Sequence, residues 1–143
     1  MTRQGEKLIQ ADLGVFMKAR GWYVENTHGN AFQKGFPDMY CIHVDYGARW
    51  IDTKVPGKNS LTKAQRLKWP LWEANGGQIW ILTAATEEEY RKLWLPPNWR
   101  EFWKPSYGHI PSIDEILAAL AQTDDENEIW RILNGNNVST WEN

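Results

Sequence analysis

Apolar and polar positions alternate with two different periods along this chain. Within residues 4–20, Ile9, Leu13 and Phe16 recur at helical spacing and predict an opening helix that ends at Gly21. The period then shortens: Trp22-Tyr23-Val24-Glu25-Asn26 reads as a strand and Thr27-His28-Gly29-Asn30 as a turn or loop. Pro37 lacks an N–H and favours extended backbone before it, which suits a strand start, and Met39 to Val44 are rich in strand formers. Asp45-Tyr46-Gly47-Ala48 predicts a hairpin turn, with Gly47 able to take positive φ, and Arg49 to Val55 is the return strand. After a loop, a helix runs from about Thr62 to Ala74 and stops at Asn75-Gly76-Gly77, with Pro70 implying a kink or break. Gln78 to Thr83 reads as a buried strand.

Beyond it, Thr86 caps a helix reaching Trp94, with acids in its first turn, and Leu95-Pro96-Pro97 ends it. Residues 96–111 are rich in Pro and Trp and irregular. Ser112 to Gln122 predicts a helix with Ile113, Ile116, Leu117 and Leu120 on one face, and a last helix runs from Asp124 or Asp125 to Leu133. The order helix, strand, strand, strand, helix, strand, with a crossover helix before the last strand, favours parallel pairing there. The expected fold is a single α/β domain: a mixed-sheet core over residues 1–95, flanked by helices, and a helical Trp-rich extension over 96–143. That extension either packs on the core or forms a dimer interface.

The hairpin brings chemistry together. A turn centred near residues 45 and 46 sets Asp38 across from the region of Asp52 to Lys54, and side chains two apart on a strand share a face. Two carboxylates and one ammonium therefore converge at one end of the hairpin. Hard Mg²⁺ takes carboxylate oxygens and keeps several waters. Such an ion lowers the pKa of a bound water and neutralises phosphate charge, while a lysine orients the attacking water or stabilises developing negative charge. The constellation suits metal-assisted phosphodiester hydrolysis.

Pro37-Asp38 followed by Asp52-Thr53-Lys54 resembles the PD-(D/E)xK nuclease signature. Gly35-Phe36-Pro37-Asp38, Trp50-Ile51-Asp52-Thr53-Lys54 and Leu61-Thr62-Lys63-Ala64-Gln65 are together most similar to its VRR-NUC branch, whose layout is related to that of archaeal-type Holliday junction resolvases. The resemblance covers roughly residues 4–84. Asp52 stands where Glu is commoner in the family, and its shorter arm would shift the metal slightly. The resemblance implies a restriction-endonuclease-like core and a Mg²⁺- or Mn²⁺-dependent DNA endonuclease that prefers flapped, Holliday-junction or other branched DNA. It implies that Asp38, Asp52 and Glu6 serve the metal, that Lys54 acts at the attacking water, and that Gln65 supports the site. Glu6 has an alternative as a first-turn acid favoured by the helix dipole. Gln65 has one as the last residue of a Thr62-Lys63-Ala64-Gln65 capping box.

The chain has 143 residues and a net charge of −2, which argues mildly against bulk nucleic-acid affinity. The charge is segregated, however: Lys54, Lys58, Lys63, Arg66 and Lys68 fall in one stretch with no acid between them. Lys58, Lys63 and Arg66 are candidate DNA contacts from this stretch, or else a solvated face, and His28 is a candidate phosphate contact or a plain loop residue. Ten Trp favour a large buried core or interface over base stacking. The single Cys41 excludes an internal disulfide, and Cys41 and His43 share a strand face where packing is expected. With no apolar run resembling a signal peptide or a membrane span, the expectation is an intracellular, cytoplasmic protein. A twofold dimer would suit symmetric four-way junctions. Three rivals remain at this level: a nuclease-fold protein that binds DNA without cutting it, a structural or interaction protein whose Trp-rich tail docks a partner, and an enzyme acting on RNA.

Overall fold

The computed structural model describes residues 3–27, 34–57 and 60–134. The first half holds α1 (Arg3–Lys18), β1 (Tyr23–Asn26), β2 (Met39–His43), β3 (Gly47–Thr53), α2 (Lys63–Ala74) and β4 (Ile79–Leu82). The second holds α3 (Glu87–Tyr90), three short 3₁₀ turns, α4 (Ile113–Leu120) and α5 (Glu126–Asn134). The sheet order is β1-β2-β3-β4, with the first three strands antiparallel and β4 parallel to β3. The protein is thus α/β with a mixed four-stranded sheet, as the crossover through α2 requires. Among the described residues no helix is long and apolar enough to cross a membrane.

The hairpin register is the one expected. Met39 stands opposite Ile51 and Tyr40 opposite Trp50, so one further step sets Asp38 opposite Asp52. The turn itself is tighter and earlier than predicted. His43 already pairs with Gly47, whose φ of +81° turns the chain, leaving only residues 44–46 outside the strands.

Two cores flank the sheet. On one face Leu13 and Met17 of α1 pack with Trp22, Met39, Cys41, Ile51, Trp80 and Leu82. On the other, Ile79 and Ile81 meet Leu61 and Trp69 near and on α2, together with Trp99, Tyr107 and Trp130 from the extension. The described extension therefore completes the second core. It also closes the edge of β4: the Asn98 amide donates to the Ile81 carbonyl at 3.0 Å, and its oxygen accepts from the Ile81 N–H at 2.7 Å. Burial pushes the Cys41 thiol up to about 12, so it is a packed and unreactive group.

Three helices depart from the pattern. α2 runs unbroken through Pro70, which is buried; core packing outweighs the lost hydrogen bond. The predicted helix to Trp94 tightens into a 3₁₀ turn over Arg91–Trp94 just before the two prolines. On α4 the buried line is Ile116 and Ala119, while Ile113, Leu117 and Leu120 stay exposed, because α4 packs on α2 and α5 along a narrow strip.

Gly35 holds the turn that delivers Asp38. Its φ is +84°, and an added Cβ would meet the backbone of Ala64 at 3.0 Å. Gly35→Ala is expected to cost about 1–3 kcal/mol through strain and crowding, read as a lower urea midpoint with an unchanged slope.

Candidate functional site

The site forms where the ends of β2 and β3 meet the start of α2. Asp52 is the penultimate residue of β3 and Lys54 follows its end; both are buried, with 1% and 3% of their surface exposed. Lys54 Nζ lies 3.2 Å from Asp52 Oδ2 and donates to Gln65 Oε1 at 3.1 Å. Gln65 Nε2 donates to Asp52 Oδ1 at 3.4 Å. The Lys54 contact to Oδ2 has ion-pair distance without hydrogen-bond alignment, and Oδ2 is left with no hydrogen-bond partner.

At Gln65 the capping reading is present in full. Thr62 N–H donates to Gln65 Oε1 at 3.0 Å, and Gln65 N–H donates to Thr62 Oγ1 at 3.1 Å, which is a complete capping box. The same Oε1 accepts from Lys54. One side chain therefore caps α2 and holds the buried ammonium.

Asp38 sits in the turn before β2, half-buried. Its Oδ2 accepts from both the N–H and the hydroxyl of Thr53, each at 2.8 Å. Its backbone is pinned as well: the Asp38 carbonyl accepts from Thr27 N–H at 2.9 Å and from Gln10 Nε2 at 3.4 Å. Gln10 lies one turn after Glu6 on α1, so the bond that ties Gln10 to Asp38 turns the face carrying Glu6 toward the site. Glu6 is half-buried, and its charge and that of Asp38 both reach Asp52. Thr53, Thr27 and Gln10 escaped sequence reasoning. Strand parity sends Thr53 to the face opposite Asp52, and no local motif marks the other two.

Burial pushes the Asp52 carboxyl up to about 8; the Lys54 ammonium pulls the other way, and the negative fields of Asp38 and Glu6 add to the rise. A buried carboxylate with an orphaned oxygen, in the field of two more acids, is a place that favours a cation. Among the described residues no three His, Cys, Asp or Glu side chains stand close enough together to make a ready cage. The donor set fits a hard ion that binds one or two carboxylates and otherwise keeps waters and substrate oxygens, as Mg²⁺ does.

The fold divides the basic stretch. Arg66, expected to contact DNA, is fully buried: Nη1 donates to the Leu61 carbonyl at 2.7 Å and the guanidinium lies 4.1 Å from the Tyr107 ring centre. Burial lowers its pKa, and it cannot reach a phosphate from there. Lys54 is buried too. Lys63 remains half-buried at the first residue of α2, and Lys68 is half-buried against Phe36. His28 and Lys58 lie outside the described residues. Compared with protein-family models, with curated proteins and with solved structures, the chain matches none.

Proposed function

We propose that this chain is a Mg²⁺- or Mn²⁺-dependent endonuclease with a PD-(D/E)xK core of the restriction-endonuclease-like type, hydrolysing phosphodiester bonds in DNA, branched DNA foremost. The observation that carries the reading is Asp52: a buried carboxyl whose Oδ2 has no hydrogen-bond partner, ion-paired with a buried lysine and in the field of Asp38 and Glu6. A fold gains no stability from such a cluster, since a buried ion pair rarely repays its desolvation.

Asp38 and Asp52 would hold the ion, with Glu6 assisting directly or through water; once bound, the ion would acidify an attacking water and offset phosphate charge. The remaining work belongs to the chain's own groups. Thr53 fixes the Asp38 carboxylate by two hydrogen bonds, both to Oδ2. Gln65 holds the Lys54 ammonium beside Asp52, where it orients water or stabilises charge that develops on the phosphate. The dry surroundings of Lys54 strengthen that interaction relative to open solvent.

Lys54→Met tests this division of labour. The variant should bind Mn²⁺ in a calorimetric titration as the parent does, yet cleave labelled flap and four-way-junction DNA about a hundredfold more slowly. Parental cleavage rates would remove Lys54 from the chemistry. Gln65→Ala separates positioning from capping when set beside Thr62→Ala. Both variants should lose about 1 kcal/mol of stability through the broken box, while only Gln65→Ala should also slow turnover per folded enzyme by about tenfold or more. Equal turnover in the two would leave Gln65 as a cap alone.

A further inference from the structure

We propose that the aromatic rings beside Asp38 form a stacking subsite for the unpaired bases of a nucleic-acid strand entering the site; the inference rests on the nuclease reading and deepens it. Trp50 precedes Asp52 by two on β3, and Tyr40 is its cross-strand partner, so both rings share the sheet face of Asp52. Tyr40 and Trp50 stand opposite each other with ring centres 4.5 Å apart. Phe36, in the turn that delivers Asp38, and Trp72 of α2 close a group with Trp50 at centre distances of 6.1, 5.4 and 5.1 Å.

The same sheet face is covered unevenly. Over β4, Ile79 and Ile81 are sealed by α2 and the extension. Over β2 the cover is thinner among the described residues: Phe36, Tyr40, Trp50 and Trp72 are each half-buried, and Ile42 is 40% exposed. Two acids stand near this surface and both are engaged: Glu25, opposite Tyr40 on β1, by the hydroxyl of Tyr23, and Glu126 by Lys34.

Charge identifies the occupant. The Lys68 ammonium lies 4.8 Å from the Phe36 ring centre and donates to the Lys34 carbonyl. The Lys34 ammonium is nearby and exposed, pairing with Glu126 at 3.4 Å. The ring group therefore carries an ammonium at Phe36 and leads through Trp50 along β3 to Asp52. A strand laid across it would set phosphates against the lysines and bases against the rings, and its backbone would continue to the carboxylates. Paired bases in a duplex are already stacked on one another, whereas unpaired bases offer free faces to aromatic side chains. The subsite thus selects single-stranded tracts or the loose arm of a branch.

The test is fluorescence anisotropy with a labelled oligo-dT of about fifteen nucleotides and a blunt duplex of the same length. It is run on the full chain in EDTA so that binding is read apart from cutting. The parent should prefer the single strand. Tyr40→Leu and Trp50→Leu should weaken that binding by about tenfold or more, the scale of losing one stacking ring, and leave duplex binding unchanged. Trp50→Phe, which keeps a ring, should retain most of it, and Trp94→Leu, a 43% exposed ring outside this group, should have no effect. Circular dichroism confirms that each variant is folded, and Tyr40→Leu stands alone if Trp50→Leu is not. Ring variants that bind as the parent does, or a parent that prefers duplex, would overturn the inference even if the chain cuts DNA with Mg²⁺. Ring-dependent binding of single strands with no cutting in any divalent ion would uphold the subsite and sink the nuclease reading.

Discussion

Asp52→Asn is expected to abolish function and relax the fold at once. Cleavage should fall by about a thousandfold, the upper scale for removing one preorganised electrostatic group, because a neutral amide cannot ionise to serve a cation as a carboxyl group does. Stability should move the other way in the absence of divalent ions. Asp52 has its pKa raised from 3.8 to about 8 by burial and by neighbouring acids. Between those values the folded chain keeps a proton that the unfolded chain has released, so raising the pH through this window withdraws stability from the parent. Each pH unit of that window is worth about 1.4 kcal/mol for a single group. Asp52→Asn removes this slope. It also takes the partner charge from Lys54, which offsets part of the gain, while Gln65 Oε1 keeps its hydrogen bond to the ammonium. Melting curves in EDTA across the window should therefore diverge, with the variant melting higher above pH 8. Parallel curves would mean that Asp52 titrates as an ordinary carboxylate.

Trp69→Ala should carry the largest cost in the fold. Trp69 is fully buried, packs edge-on against Trp99 at 6.2 Å, and donates from Nε1 to the Gly35 carbonyl at 2.8 Å. Removing so large a buried ring costs about 3–5 kcal/mol, set against a total of about 5–15 kcal/mol for an ordinary domain. Urea unfolding followed by circular dichroism should show a midpoint far below the parent's. Trp69→Phe keeps most of the volume and loses only the N–H, so it should cost much less, about 1 kcal/mol more than repacking alone. The effect extends beyond stability because Trp69 fastens α2 to the turn that carries Asp38. A loss under about 1 kcal/mol for Trp69→Ala would show that this junction is not a keystone of the second core.

Much of this architecture is written locally. The hairpin register follows from Pro37 and Gly47 with alternating residues between them, and it alone sets Asp38 opposite Asp52. The Thr62-Lys63-Ala64-Gln65 box fixes the start of α2 to the residue. What could not be read depends on partners far along the chain. Arg66 looks like a surface cation until Tyr107 supplies a ring beneath it and the Leu61 carbonyl accepts its hydrogen bond. Thr53 looks like a spacer in Asp52-Thr53-Lys54, and its grip on Asp38 exists only once the two strands end side by side. The face of α4 was misjudged because α2 and α5, and not its own hydrophobic pattern, decide which strip is covered. The outcome at Gln65 is of another kind: the capping box legible in sequence forms, and the same oxygen also accepts from Lys54, a contact that no local pattern announced.

The most direct measurement is cleavage by the purified parent chain of four labelled DNAs: linear duplex, single strand, flap and four-way junction, each with Mg²⁺, with Mn²⁺ and with EDTA. Cutting that requires the divalent ion, favours a branched or unpaired substrate and disappears in Asp52→Asn is the predicted result. Cutting that persists in EDTA or in Asp52→Asn, or no cutting of any substrate with either ion, would contradict a metal-dependent nuclease built on Asp38, Asp52 and Lys54.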